Sequence, residues 1–158
     1  MEKENMKKMQ KMGYRKFSLM MLISFMIMYG VMFLNVDEVN HIYLSTTRTY
    51  MALLMISAMS IVMMLMMEKM YPDKKINTGI MLGAVVLFGL ALAGLRTQTP
   101  ISDVQYMKAM IPHHSSAIMV SKNANLKDPQ VIKLSEGIIA SQEKEIAEMK
   151  AILDRINK

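Results

Sequence analysis

Three stretches of the chain run for about 18 residues without a charged side chain: Phe17 to Leu34, Tyr50 to Met67 and Thr78 to Leu95. An amphipathic helix of a soluble core would interleave polar residues every turn, and these runs do not. A backbone in lipid must satisfy its own polar groups, so the runs predict three transmembrane helices over 17–34, 50–67 and 78–95 rather than strands. The first run could instead be a signal peptide, but it continues into Asn35, Val36, Asp37 and Glu38 with no small-residue cleavage pattern.

Beyond Leu95 the pattern changes to helical periodicity with charges. Arg96 to Thr99 make a polar linker, and Ser102 with Gln105 form a capping-box pair that opens a helix from about Asp103 to about Lys122. Pro112 lies inside it and removes the donor to the Lys108 carbonyl, which predicts a kink or loosening there. Asn123 to Lys127 read as a turn, and Asp128 before Pro129 is an N-cap with proline at the first helical position. The last helix carries Ile132, Ile139, Ile146 and Leu153 at heptad spacing, with Leu134, Ile138, Met149 and Ile152 beside them. The expected class is all-α: a basic leader over 1–16, a membrane region over 17–95 and a helical hairpin over 99–158. A hairpin of about 60 residues buries little core. A second copy completing a four-helix bundle is the simplest partner, and packing against the outer ends of the spans is the alternative.

The net charge of +6 gains meaning only from its location. Lys3, Lys7, Lys8, Lys11, Arg15 and Lys16 precede the first run and Lys69, Lys74 and Lys75 fill the second loop, whereas the first loop has only Arg48. The positive-inside rule then puts the N-terminus in the cytoplasm and the hairpin outside. The hairpin itself is nearly charge-balanced and shows no basic face for nucleic acid.

No cysteine is present, so a soft metal would have to be held by thioether and imidazole, and the 22 methionines supply the former. Asp103, Met107, Met110 and His114 fall along one stripe of the first outer helix, with His113 turned about 100° from His114. Gln142, Glu145 and Met149 fall on the stripe of Ile138 and Ile152. A hairpin turning near Asn125 sets Met110 level with about Gln142, Met107 with Glu145 and Asp103 with Met149. Sulfur and imidazole together favour Cu(I), with silver as its mimic. Equally, the methionines can be core filler and the histidines solvated.

The run Met110, Ile111, Pro112, His113, His114, Ser115, Ser116, Ala117, Ile118, Met119, with Asp103 and Met107 before it and Gln142, Glu145, Ile146 and Met149 after it, resembles the bacterial family termed domain of unknown function 305. The resemblance covers about Ser102 to Leu153. It implies a ferritin-like helical bundle outside the cytoplasm that binds copper through Met and His, here on a multi-pass protein of the bacterial cytoplasmic membrane. It further implies a metal set drawn from His113, His114, Met110, Met107, Asp103, Met149, Met119, Gln142 and Glu145. Many members carry two hairpins and this chain has one, which favours a homodimer.

Catalysis is not expected. The first outer helix has no Glu for a di-iron site, His113 and His114 lack the spacing of a zinc hydrolase, and no carboxylate completes a triad with Ser115 or Ser116. Two other readings stand beside metal binding. The hairpin could dock a copper-handling membrane partner, or Met51, Met55, Met59 and Met63, at every fourth residue of the second run, could pass Cu(I) across the bilayer. Small Ala52, Ser57, Ala58 and Ser60 nearby favour plain helix packing for that run.

Overall fold

The computed structural model describes residues 2–67 and 70–156, with side chains from Met12 onward. Among the described residues there are five α-helices and no strand: α1 (Glu2–Val31), α2 (Thr46–Met66), α3 (Lys74–Thr97), α4 (Asp103–Asn123) and α5 (Pro129–Ile156), with a 3-10 turn at Val39–His41. Lys69, one of the second-loop charges, lies outside the described residues.

Among the described residues two helices, α2 and α3, are long and apolar enough to cross a membrane, where three were expected. The difference arises at the end of α1. That helix stops at Val31 and Met32 to Asn35 form a turn, so the apolar run is cut short and an 18-residue helical stretch must include Arg15 and Lys16. Helix α1 runs from Glu2 through the basic stretch and on into the apolar run.

The chain divides into two compact units. One holds α1, all but the first turn of α2, and α3. Phe17, Met64 and Tyr71 are buried at its centre, with Tyr14, Met20, Met63, Ile80 and Met81 packed around them. The Tyr14 hydroxyl donates to Asn77 Oδ1 at 2.8 Å, and the Asn77 amide donates to the Tyr71 carbonyl at 2.6 Å. Asp73 caps α3 by accepting from the amides of Lys75 and Ile76. Away from this cluster the unit leaves Leu22, Met26, Leu82, Val86 and Leu90 exposed, a surface suited to lipid and not to water.

The other unit contains the α4/α5 hairpin and the segment from Val31 to Arg48. Its core is Met107, Ile111, Ile118, Ile146 and Leu153, with Tyr43, Val104, Ile139, Met149 and Ile152 against it. The buried face of α4 therefore runs Met107, Ile111, His114, Ile118, at alternating steps of four and three. Ile111, not Met110, occupies the centre of the seam. On α5 the seam is Ser135, Ile139, Ile146 and Leu153, while Ile138 and Ile132 are exposed.

Both helix starts form as their sequences direct. Ser102 accepts from the Gln105 amide, and Asp128 accepts from the amides of Gln130 and Val131 at 2.8 and 3.2 Å. The second half of the capping box does not form, because the Gln105 side chain accepts instead from the Thr46 amide at 2.9 Å and hydroxyl at 3.1 Å. Helix α4 continues through Pro112, whose ring is buried in the seam.

Candidate functional site

His114 is buried on the α4 seam, and its Nδ1 stands 3.0 Å from Glu145 Oε2 on α5. A turn near Asn125 sets Met107, two helical turns before His114, level with about Glu145. Antiparallel side chains lean toward the N-termini of their own helices, so His114 and Glu145 bridge an offset that their backbones do not close. The 3.0 Å approach is misaligned with the ring N–H, so Nδ1 has no hydrogen bond among the described residues. Glu145 is half-exposed and needs only a small swing to make one. Its other oxygen is steadied by the Ser141 hydroxyl, which donates to Oε1 at 2.8 Å.

His113 is exposed beside this pair, its ring centroid 6.0 Å from that of His114 with the planes at 62°. An imidazole bound through nitrogen holds its centroid roughly 3 Å from a metal ion, so two rings on one ion stand up to about 6.5 Å apart. The observed separation lies within that limit despite the 100° between consecutive residues. Met110 is half-buried one turn before His114, roughly 6 Å along the axis.

The other expected donors are not gathered here. Met107 is buried in the apolar core about 10 Å from His114 along the helix, and Met149 packs against the same cluster. Asp103 is exposed in the first turn, and Met119 lies roughly 140° around the helix from His114. Gln142 is half-buried between Ile139 and Ile146 on the α5 seam. Among the described residues no three His, Asp or Glu side chains converge as a metal site. In the methionine ladder of α2, Met51 and Met55 are exposed, Met59 is half-buried, and Met63 packs against the Phe17, Met64 and Tyr71 cluster.

A third histidine, which the motif does not include, sits on the opposite side of α4. His41 is buried in the 3-10 turn with its Nδ1 2.9 Å from Ser115 Oγ, and the same oxygen accepts from the Asp37 amide at 2.7 Å. Asn35 donates to Ser116 Oγ at 2.7 Å, Lys122 pairs with Asp37 at 2.8 Å and with Glu143 at 3.5 Å, and Lys150 donates to Asn40 at 3.0 Å. These contacts clasp the 31–48 segment to the hairpin and border a cleft of about 260 Å³. Ser115 is wholly buried and already bonded, which fits a clasp and not a nucleophile.

Burial holds the His114 imidazole below its ordinary value, outweighing the opposing Glu145 carboxylate. Burial also lowers His41, with nearby Lys150 adding to the effect against Glu38 and Asp37. A neutral His41 can receive the Ser115 hydroxyl proton at Nδ1, and protonation would turn that proton away. The linkage has a definite sign: the unfolded imidazole takes a proton near pH 6.5, whereas the folded one resists it. The stability that the clasp confers is therefore complete above about pH 6.5 and declines as pH falls below it. Helix melting followed by circular dichroism should show this loss, and His41→Gln should flatten it. Equal melting of the parent at pH 7 and pH 5.5 would refute the assignment.

The family described as Domain of unknown function (DUF305) matches residues 56–153. An uncharacterized protein of Acanthamoeba polyphaga mimivirus is 37% identical over 139 residues, 86% of this chain and 90% of the relative. No solved structure matches the chain. The family segment begins inside α2 and takes in all of α3. It therefore extends well before the Ser102 to Leu153 stretch that carries the histidine motif, and the apolar helices are not simply appended to it.

Proposed function

Because the chain belongs to the domain of unknown function 305 family, we propose that it is a membrane-anchored protein whose outer helical unit binds Cu(I). The observation that carries the reading is the constellation around His114. A buried imidazole has a steadied carboxylate 3.0 Å behind its Nδ1, a second imidazole beside it and a thioether one turn away. A carboxylate at the rear nitrogen is the arrangement that orients metal-bound histidines, and it leaves Nε2 to donate. His114 and Met110 would hold the ion with His113, Glu145 would fix the ring, and Met107 and Met149 would serve as packing. Sulfur with imidazole suits a soft monovalent ion better than magnesium or calcium. Copper would be cargo to be buffered or handed on, and no catalytic step is assigned.

The membrane reading rests on α2 and α3, and the proposal adds α1, which ends at Val31, as a third span. The charge distribution supports a cytoplasmic N-terminus and an extracytoplasmic hairpin. A second copy of the hairpin remains the partner we propose, since Val120, Val131, Leu134 and Ile138 are left uncovered by the chain's own loop.

Met110→Leu tests the site without disturbing the fold. Volume and apolarity are kept, so stability without metal should change by less than about 1.5 kcal/mol. The thermal stabilisation that Cu(I) gives the parent by mass action should shrink markedly. Full stabilisation of the variant by Cu(I) would assign Met110 to packing.

A further inference from the structure

In the 31–48 segment several polar side chains bond the hairpin, while large aliphatic side chains on the same segment are left uncovered. Asn35, Asp37 and Asn40 are spent on Ser116, Lys122 and Lys150 of the hairpin. Leu34, Val39 and Leu44 are 80%, 82% and 68% exposed. In a 3-10 turn, residues two apart stand roughly 120° apart around the axis, so Val39 lies on a different side from the one where His41 meets Ser115. Three exposed aliphatics on one short segment need an apolar surface to cover them.

Chain connectivity identifies that surface. Leu44 lies two residues before the first residue of α2, a helix long and apolar enough to span a membrane, and Leu34 lies three residues after the end of α1. At roughly 3.5 Å per residue, neither can stand more than about 10 Å from the end of its helix. The interfacial zone on each side of the hydrocarbon core is itself some 5–7 Å deep. We infer that Leu34, Val39 and Leu44 enter the outer leaflet at the headgroup boundary. The 31–48 segment is then a lipid-facing sole, and its hydrogen bonds to α4 and α5 hold the candidate copper site at the membrane surface. This inference rests on the membrane reading proposed above.

The chain has no tryptophan, so each single substitution creates a unique reporter. Leu34→Trp, Val39→Trp and Leu44→Trp would be compared with Val62→Trp in α2 and Asn125→Trp at the hairpin turn, each in the full chain reconstituted into phosphatidylcholine vesicles. All five positions are exposed, so the fold is spared. The three loop reporters should emit at blue-shifted wavelengths, lose most of their emission to lipids brominated near the headgroup and resist aqueous acrylamide. Asn125→Trp should do the opposite. If Val62→Trp is quenched by bromolipid but the loop reporters behave like Asn125→Trp, the lipid-facing sole is wrong and the membrane reading survives. If Val62→Trp also escapes bromolipid, the membrane reading fails and takes the inference with it.

Discussion

Replacing Ser115 with alanine should release the 31–48 segment from the hairpin. The substitution leaves two groups without their partner, the Asp37 amide and His41 Nδ1, and each held a short contact to the same buried oxygen. An unsatisfied buried polar group costs about 1–3 kcal/mol, so the pair should cost the clasp about 2–4 kcal/mol. Read by hydrogen exchange, that is a rise of roughly 30-fold or more in the opening of the segment around Asp37 to Ile42. The lost volume is small, which makes the polar effect dominant. His41→Phe in the same chain should recover part of the loss, because removing both partners of a buried bond costs less than orphaning one. Unchanged exchange in Ser115→Ala would mean that the segment is held by other contacts.

The contrast between hairpin and clasp shows where sequence reasoning succeeds. The hairpin was legible because its signals are local: Ser102 at one helix start, Asp128 and Pro129 at the other, and apolar residues recurring at helical spacing. The clasp joins residues more than 70 positions apart through single hydroxyls, amides and amines. Nothing periodic announces such partners. Ser115 and Ser116 could be dismissed as nucleophiles from sequence, but nothing there revealed them as acceptors for Asn35 and Asp37. His41 likewise carries no periodic signal. One clue was available, a histidine in a short loop between two apolar runs, placed by the charge distribution on the same side as His113 and His114. The centre of the α4 stripe is not fixed by sequence, because Met110 and Ile111 both satisfy the apolar period and only packing decides for Ile111. The shortened α1 was hidden because composition marks an apolar run without marking where the helix within it unwinds.

The largest functional effect belongs to His114. Losing an outer partner of a metal-bound histidine costs about 10–100-fold in affinity, so removing the ring that binds the ion should cost at least about 100-fold, or roughly 2.7 kcal/mol. His114→Ala also deletes a buried ring, and His114→Phe provides the control that keeps the seam filled while removing the nitrogens. Glu145→Gln keeps the side-chain shape and loses the charge behind Nδ1, so its effect should be intermediate. Met107→Leu should leave affinity unchanged, since its thioether is packed in the core some 10 Å from His114 along α4.

A Cu(I) competition titration of the full chain in detergent, against a chromogenic chelator and repeated with His114→Phe and Met107→Leu, tests the central claim most directly. Saturable, stoichiometric binding by the parent and by Met107→Leu, with a loss of at least about 100-fold in His114→Phe, is the expected result. Equal affinity in all three, or no stoichiometric binding by the parent, would contradict the copper assignment.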